Sequence, residues 1–125
     1  MSKGAARLND ICTGHCDQII VYDADGNPTP KLCCYPPRPN IQGSPDTYCN
    51  GRPLHCETHQ WAMHCGPVVI NPDGIPVQSC GCHNGQLEQG SKTVICNNLG
   101  VGRCGDKISC NSKVATCSDN VMIGD

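Results

Sequence analysis

Gln42–Gly51 reads QGSPDTYCNG, Gln89–Asn98 reads QGSKTVICNN and Thr116–Asp125 reads TCSDNVMIGD, three segments that align without a gap. Each has a Ser two residues after its opening Gln or Thr, then a short alternating, partly β-branched run, then a polar or Gly pair. Such a run is the pattern of a half-buried strand, and such a pair is the chemistry of a turn. A second element recurs beside the first: Ala5-Ala6-Arg7-Leu8-Asn9-Asp10, Val101-Gly102-Arg103-Cys104-Gly105-Asp106 and, more loosely, Pro53-Leu54-His55-Cys56-Glu57. A strand this short cannot bury a face alone. Three copies sharing a central core therefore predict a pseudo-threefold β unit.

Composition points the same way. A chain of 125 residues has the length of one domain, spanning 1–125. With no Phe, one Trp and three Tyr, the side chains that usually supply most buried area are nearly absent, so the core is thin. The 14 Gly and 10 Pro, spread along the chain, favour short strands and turns, with little or no helix. Thirteen cysteines signal cross-links or metal, since a weak core alone does not offset the entropy of ordering the backbone. The net charge of −2, with Lys and Arg scattered, gives no reason to expect nucleic acid as a partner. Met1 to Asp10 has no apolar h-region, which predicts synthesis in the cytoplasm without a signal peptide. Cysteines in such a protein are either held by metal or oxidised after it leaves the cell.

Two insertions interrupt the repeat. Residues 17–33 contain IIVYDADGNPTPKL and residues 66–80 contain VVINPDGIPVQS, each an apolar run, a turn rich in Asp, Gly and Pro, and a return. Both read as hairpins. His15-Cys16 precedes the first and Cys33-Cys34 follows it; His64-Cys65 precedes the second and Cys80-Gly81-Cys82-His83 follows it.

Histidine placement supplies the chemistry. His15 and His64 end repeated units, His83 opens the second strand unit, and Cys110 is read as holding in the third unit the place of His64. Three imidazoles and one thiolate form a closed tetrahedral set suited to zinc, with iron as the alternative. His55 and His59 rival His64 as the second-repeat ligand, and the bland reading is histidines hydrogen-bonded on a wet surface. An open three-His zinc site would suit an enzyme, but Cys110 as fourth ligand closes the sphere and no Glu sits at a diagnostic spacing, so no catalytic function is expected.

Ala5-Ala6-Arg7-Leu8-Asn9-Asp10, Thr13-Gly14-His15, Tyr35 to Pro45 (YPPRPNIQGSP), Asn50-Gly51, Trp61-Ala62-Met63-His64-Cys65, Gly105-Asp106 with Cys110, and Ala115 to Val121 (ATCSDNV) together resemble the PAAR-repeat family. The likeness covers nearly the whole chain outside the hairpins. It implies an all-β, conical structure with a metal near the apex, whose base caps a trimeric β-helical spike, one tip monomer per trimer. The implied role is to sharpen that spike for piercing the target outer membrane. The implied location is the virion, at the spike tip of a phage tail baseplate. The alternatives are the spike tip of a type VI secretion machine, or a free disulfide-rich binding module. Since the sequence ends at Asp125, directly after the third strand unit, no effector domain is expected. The hairpins are expected to enlarge the base or to contact neighbouring tail proteins.

With Cys110 on the metal, twelve cysteines remain and six disulfides become possible. The hairpin frames suggest Cys16 with Cys33 or Cys34, and Cys65 with Cys80 or Cys82. Cys49 and Cys96 either face each other or pair with Cys12, Cys56, Cys104 or Cys117. The competing reading places a second metal on Cys33, Cys34, Cys80 and Cys82.

Overall fold

The computed structural model describes residues 2–125 as an all-β protein, with no helix among them. Its strands are β1 (Lys3–Gly4), β2 (His15–Tyr22), β3 (Pro28–Tyr35), β4 (Tyr48–Cys49), β5 (Arg52–Pro53), β6 (His64–Cys65), β7 (Val68–Ile70), β8 (Pro76–Ser79), β9 (Cys82–His83), β10 (Ile95–Cys96), β11 (Leu99–Gly100) and β12 (Met122–Ile123). They form six antiparallel pairs, and single-residue bridges join the pairs into one body.

The threefold relation is visible in the register. Tyr48 pairs with Pro53, Ile95 with Gly100 and Met122 with Gly4, so the three aligned segments each supply one arm of a small hairpin. In the first two the turn is Asn50-Gly51 or Asn97-Asn98, all at positive φ, which is what a two-residue hairpin loop demands. The third hairpin has no such turn, because its second arm is the N-terminal strand β1. In all three, a buried Ser at the entry accepts the backbone N–H three residues on: Ser44 from Thr47, Ser91 from Val94 and Ser118 from Val121, at 3.1, 3.0 and 3.0 Å.

The second repeated element closes the ring. Ala5 bridges Arg103, Leu54 bridges Arg7 and Val101 bridges Cys56, each copy giving its first position to a neighbour's third. Between those positions, Ala6 N–H donates to Gly102 O, Gly102 N–H to His55 O and His55 N–H to Ala6 O, at 2.8, 2.8 and 3.0 Å. This closed cycle of backbone hydrogen bonds lies on the pseudo-threefold axis. A Cβ on Gly102 would stand 2.7 Å from Leu87 Cδ2 and 2.9 Å from His55 O, so the axis leaves that position no side chain.

Each copy then turns on a residue of positive φ, namely Asn9, Thr58 and Gly105. The following Asp10 accepts Arg7 N–H at 2.7 Å and the Arg7 guanidinium at 3.1 Å, and Asp106 treats Arg103 alike. In the loose middle copy His59 Nδ1 takes the carboxylate's place and accepts Cys56 N–H at 3.0 Å. The Arg and Asp of the repeat are therefore a turn clasp, and the middle copy keeps the turn with different chemistry.

Two thin apolar layers stack along the axis. The first holds Ala5, Cys49, Cys56, Cys96, Val101 and Ile123. The second holds Ala6, Cys12, Trp61, Leu87, Ile108 and Val114, with Cys110 packed against it. Ala5 and Ala6, adjacent in the chain, face different layers. Outside the first layer, the equivalent residues Tyr48, Ile95 and Met122 are 60, 56 and 54% exposed.

Both insertions are hairpins, and they begin at His15 and His64, each three residues after a member of the second layer, Cys12 or Trp61. The first runs from His15 to Tyr35 without a break in register. The second is carried by β6–β9 and then β7–β8. Their inner faces meet in a small core of Val21, Cys33, Tyr35 and Val69, and their turns touch where Ala24 N–H donates to Asp73 Oδ2 at 2.9 Å.

Candidate metal centre

His15, His64, His83 and Cys110 converge, with their ligand atoms all within 4.8 Å of one another. The Nε2 atoms of His15 and His64 each lie 2.9 Å from His83 Nε2. A tetrahedral zinc site with Zn–N of about 2.0–2.1 Å has N–N edges of about 3.3 Å, so these two nitrogen–nitrogen edges lie within about half an ångström of such a cage. Three imidazole lone pairs aimed at one point repel unless positive charge sits among them. A single proton bridges only two; a cation serves all four donors.

The local fold aims these groups. His15 and His64 stand at the start of strands β2 and β6, and His83 lies directly opposite His64 in the β6–β9 pair. Opposite His15 is Tyr35, whose ring stacks on His15 with centroids 4.8 Å apart and also contacts His64 and His83 at 5.2 and 4.3 Å. Tyr35 O–H donates to Cys80 O at 2.8 Å, which fixes this platform. Gly14, at φ +70°, admits the Tyr35 carbonyl to a place where a Cβ would stand 2.6 Å from it. The outer nitrogens are also held: Nδ1–H of His15 donates to Asp17 Oδ1 at 3.1 Å, and Nδ1–H of His64 donates to Pro36 O at 3.0 Å. These partners orient both rings with Nε2 turned inward. Burial, then the neighbouring His64 and His15 rings, lowers the pKa of His83, which favours the neutral imidazole that binds metal.

Cys110 departs from its expected frame by one residue. The bridges align Ile108 with Cys12 and Trp61, which makes Asn111 the repeat-equivalent of His15 and His64. The third repeat carries no hairpin there. It closes in a turn, with Asn111 at φ 70° and Ile108 N–H donating to Ser112 O at 2.9 Å, and the turn swings Cys110 inward. Neither rival histidine reaches the centre. His59 caps its turn, and His55 is fully buried on the axis with Nδ1 2.8 Å from Gln42 O. The reading of loose surface histidines fails for His64, which is 3% exposed.

Cysteine pairing follows the hairpins. Cys16–Cys34 and Cys65–Cys82 bridge residues directly opposite in register, the first one position from the His15–Tyr35 pair and the second one position from the His64–His83 pair. Cys33–Cys80 ties the two hairpins together, and Cys104–Cys117 closes the third repeat. Those bridges overturn a second metal on Cys33, Cys34, Cys80 and Cys82. They also reduce the six possible disulfides to four. Cys49 and Cys96, expected to be bridged, are buried free thiols that donate to Asn50 and Asn97 side chains at 3.3 and 3.1 Å. Sequence reading missed Tyr35 and Asp17. Tyr35 entered only as the first residue of the YPPRPNIQGSP stretch, and the signal for it was its place just after Cys33-Cys34, opposite His15 once the hairpin is drawn in register.

No protein-family model matches the chain, and no curated protein matches it.

Proposed function

We propose that this protein is a structural, metal-stabilised tip of the PAAR type that caps a trimeric β-helical spike, one copy per trimer, and has no catalytic role. The observation that carries the reading is the ring of equivalent, exposed Tyr48, Ile95 and Met122 around the pseudo-threefold axis, at the end of the core away from Cys110. One chain with three like faces seats on a threefold partner without a symmetry clash. The bound ion is zinc in this reading, because three imidazoles and a thiolate complete a tetrahedral shell and leave no open position for substrate. Iron is the alternative metal. The two disulfide-braced hairpins project from the metal end and lead into the target envelope. The setting we favour is a phage tail baseplate; a type VI secretion spike presents the same partner geometry.

The test is binding to the tip fragment of a β-helical spike trimer from a contractile tail, measured by light scattering of the complex. One chain per trimer is expected, with loss of binding in the double variant Tyr48→Asp, Ile95→Asp. Binding at three chains per trimer, or binding indifferent to those substitutions, contradicts the proposal.

A further inference from the structure

Five cysteines are unbridged among the described residues, and they are not alike. Cys12, Cys49, Cys56 and Cys96 are buried in the two core layers, where packing shields them. Burial first, and Cys96 beside it, pushes the Cys56 thiol up to about 12, far from the reactive thiolate form. Cys110 alone is partly exposed. The cysteines with which it can mispair as the chain folds are Cys12, in the layer it packs against, and Cys65 and Cys82, the sequence neighbours of His64 and His83. An accessible thiol near bridging cysteines attacks them unless its sulfur lone pair is engaged.

We propose that metal ligation of Cys110 directs the disulfide pairing of this protein, by withholding the one accessible surplus thiol while the four bridges form. The proposal rests on the metal reading of the centre. The chemistry is thiol–disulfide exchange with a small disulfide such as glutathione disulfide. A protein thiolate attacks that disulfide and expels one glutathione thiolate. A second protein thiolate attacks the mixed disulfide and expels the other. Two protein thiols thus lose two electrons and two protons in total, and one glutathione disulfide becomes two glutathione thiols. Without ligation, Cys110 enters the same sequence in competition with Cys65 and Cys82.

The full chain, reduced and unfolded, is refolded in a glutathione redox buffer with zinc chloride or with a chelator, and its bridges are mapped by mass spectrometry after non-reducing digestion. With zinc, the expected map is Cys16–Cys34, Cys33–Cys80, Cys65–Cys82 and Cys104–Cys117, with Cys110 free. With chelator, bridges containing Cys110 appear and Cys65–Cys82 is lost. Cys110→Ser refolds to the four expected bridges in chelator as in zinc, and His83→Ala refolded in zinc resembles the wild type in chelator. An identical wild-type map in both buffers, or scrambling of Cys110→Ser in chelator, overturns the proposal while leaving the metal centre standing. Absence of bound zinc in the refolded wild type overturns both.

Discussion

His55 sits on the pseudo-threefold axis, where the other two repeats place Ala6 and Gly102, and burial there disfavours its charged form. Burial depresses its pKa from 6.5 to about 4, outweighing the hydrogen bond to Gln42 O. The unfolded chain therefore binds more protons between those pH values. The stability tied to a neutral His55 is complete above about pH 6.5 and is lost as pH falls toward 4, a change on the order of 3 kcal/mol. The measurement compares urea unfolding of wild type and His55→Leu across that window. A shallower pH dependence in the variant is expected, and equal slopes contradict it. At this scale the candidate centre was largely legible, since His and Cys are ligands whatever surrounds them. Geometry of the third turn was not legible, so Cys110 fell one frame position from its assigned place. Tyr35 escaped because nothing local marks an aromatic ring as a platform for residues 20 and more positions away.

The strands make the repeat, and the hairpins make the departures from it. Alternation in Gln42–Gly51, Gln89–Asn98 and Thr116–Asp125 identified three strand segments, and each became half of a hairpin. The partner of the last was hidden, because Lys3–Gly4 is too short to carry a pattern of its own. Register also settled which cysteines pair: side chains in directly opposed positions meet, as at Cys16–Cys34 and Cys65–Cys82, whereas Cys33–Cys80 joins different hairpins and has no local signal. That last bridge spans 47 residues and stabilises by about 4 kcal/mol on the chain-entropy account. In the double variant Cys33→Ser, Cys80→Ser the thermal midpoint is expected to fall and the turns at Asp23–Asn27 and Asn71–Ile75 to become protease-sensitive. Metal content is expected to persist, because each ligand strand keeps its own cross-strand bridge. An unchanged midpoint and unchanged protection contradict this account of the arms.

As a whole the molecule is two thin apolar layers stacked on a four-residue ligand set, with very little aromatic area for its length. A structural zinc contributes about 10–16 kcal/mol to the folding of small domains, as much as the entire net stability of most domains. Threefold likeness could be read from the sequence because the repeat is chemical as well as structural: Ser44, Ser91 and Ser118 accept equivalent N–H groups. The end of the core from which the hairpins leave could not, since that depends on how the layers stack. X-ray absorption at the zinc edge of the zinc-loaded protein, with the metal counted per chain, tests the central claim most directly. The account predicts one zinc per chain with three nitrogen neighbours at about 2.0 Å and one sulfur at about 2.3 Å. No stoichiometric metal, or a shell containing two or more sulfurs, contradicts it.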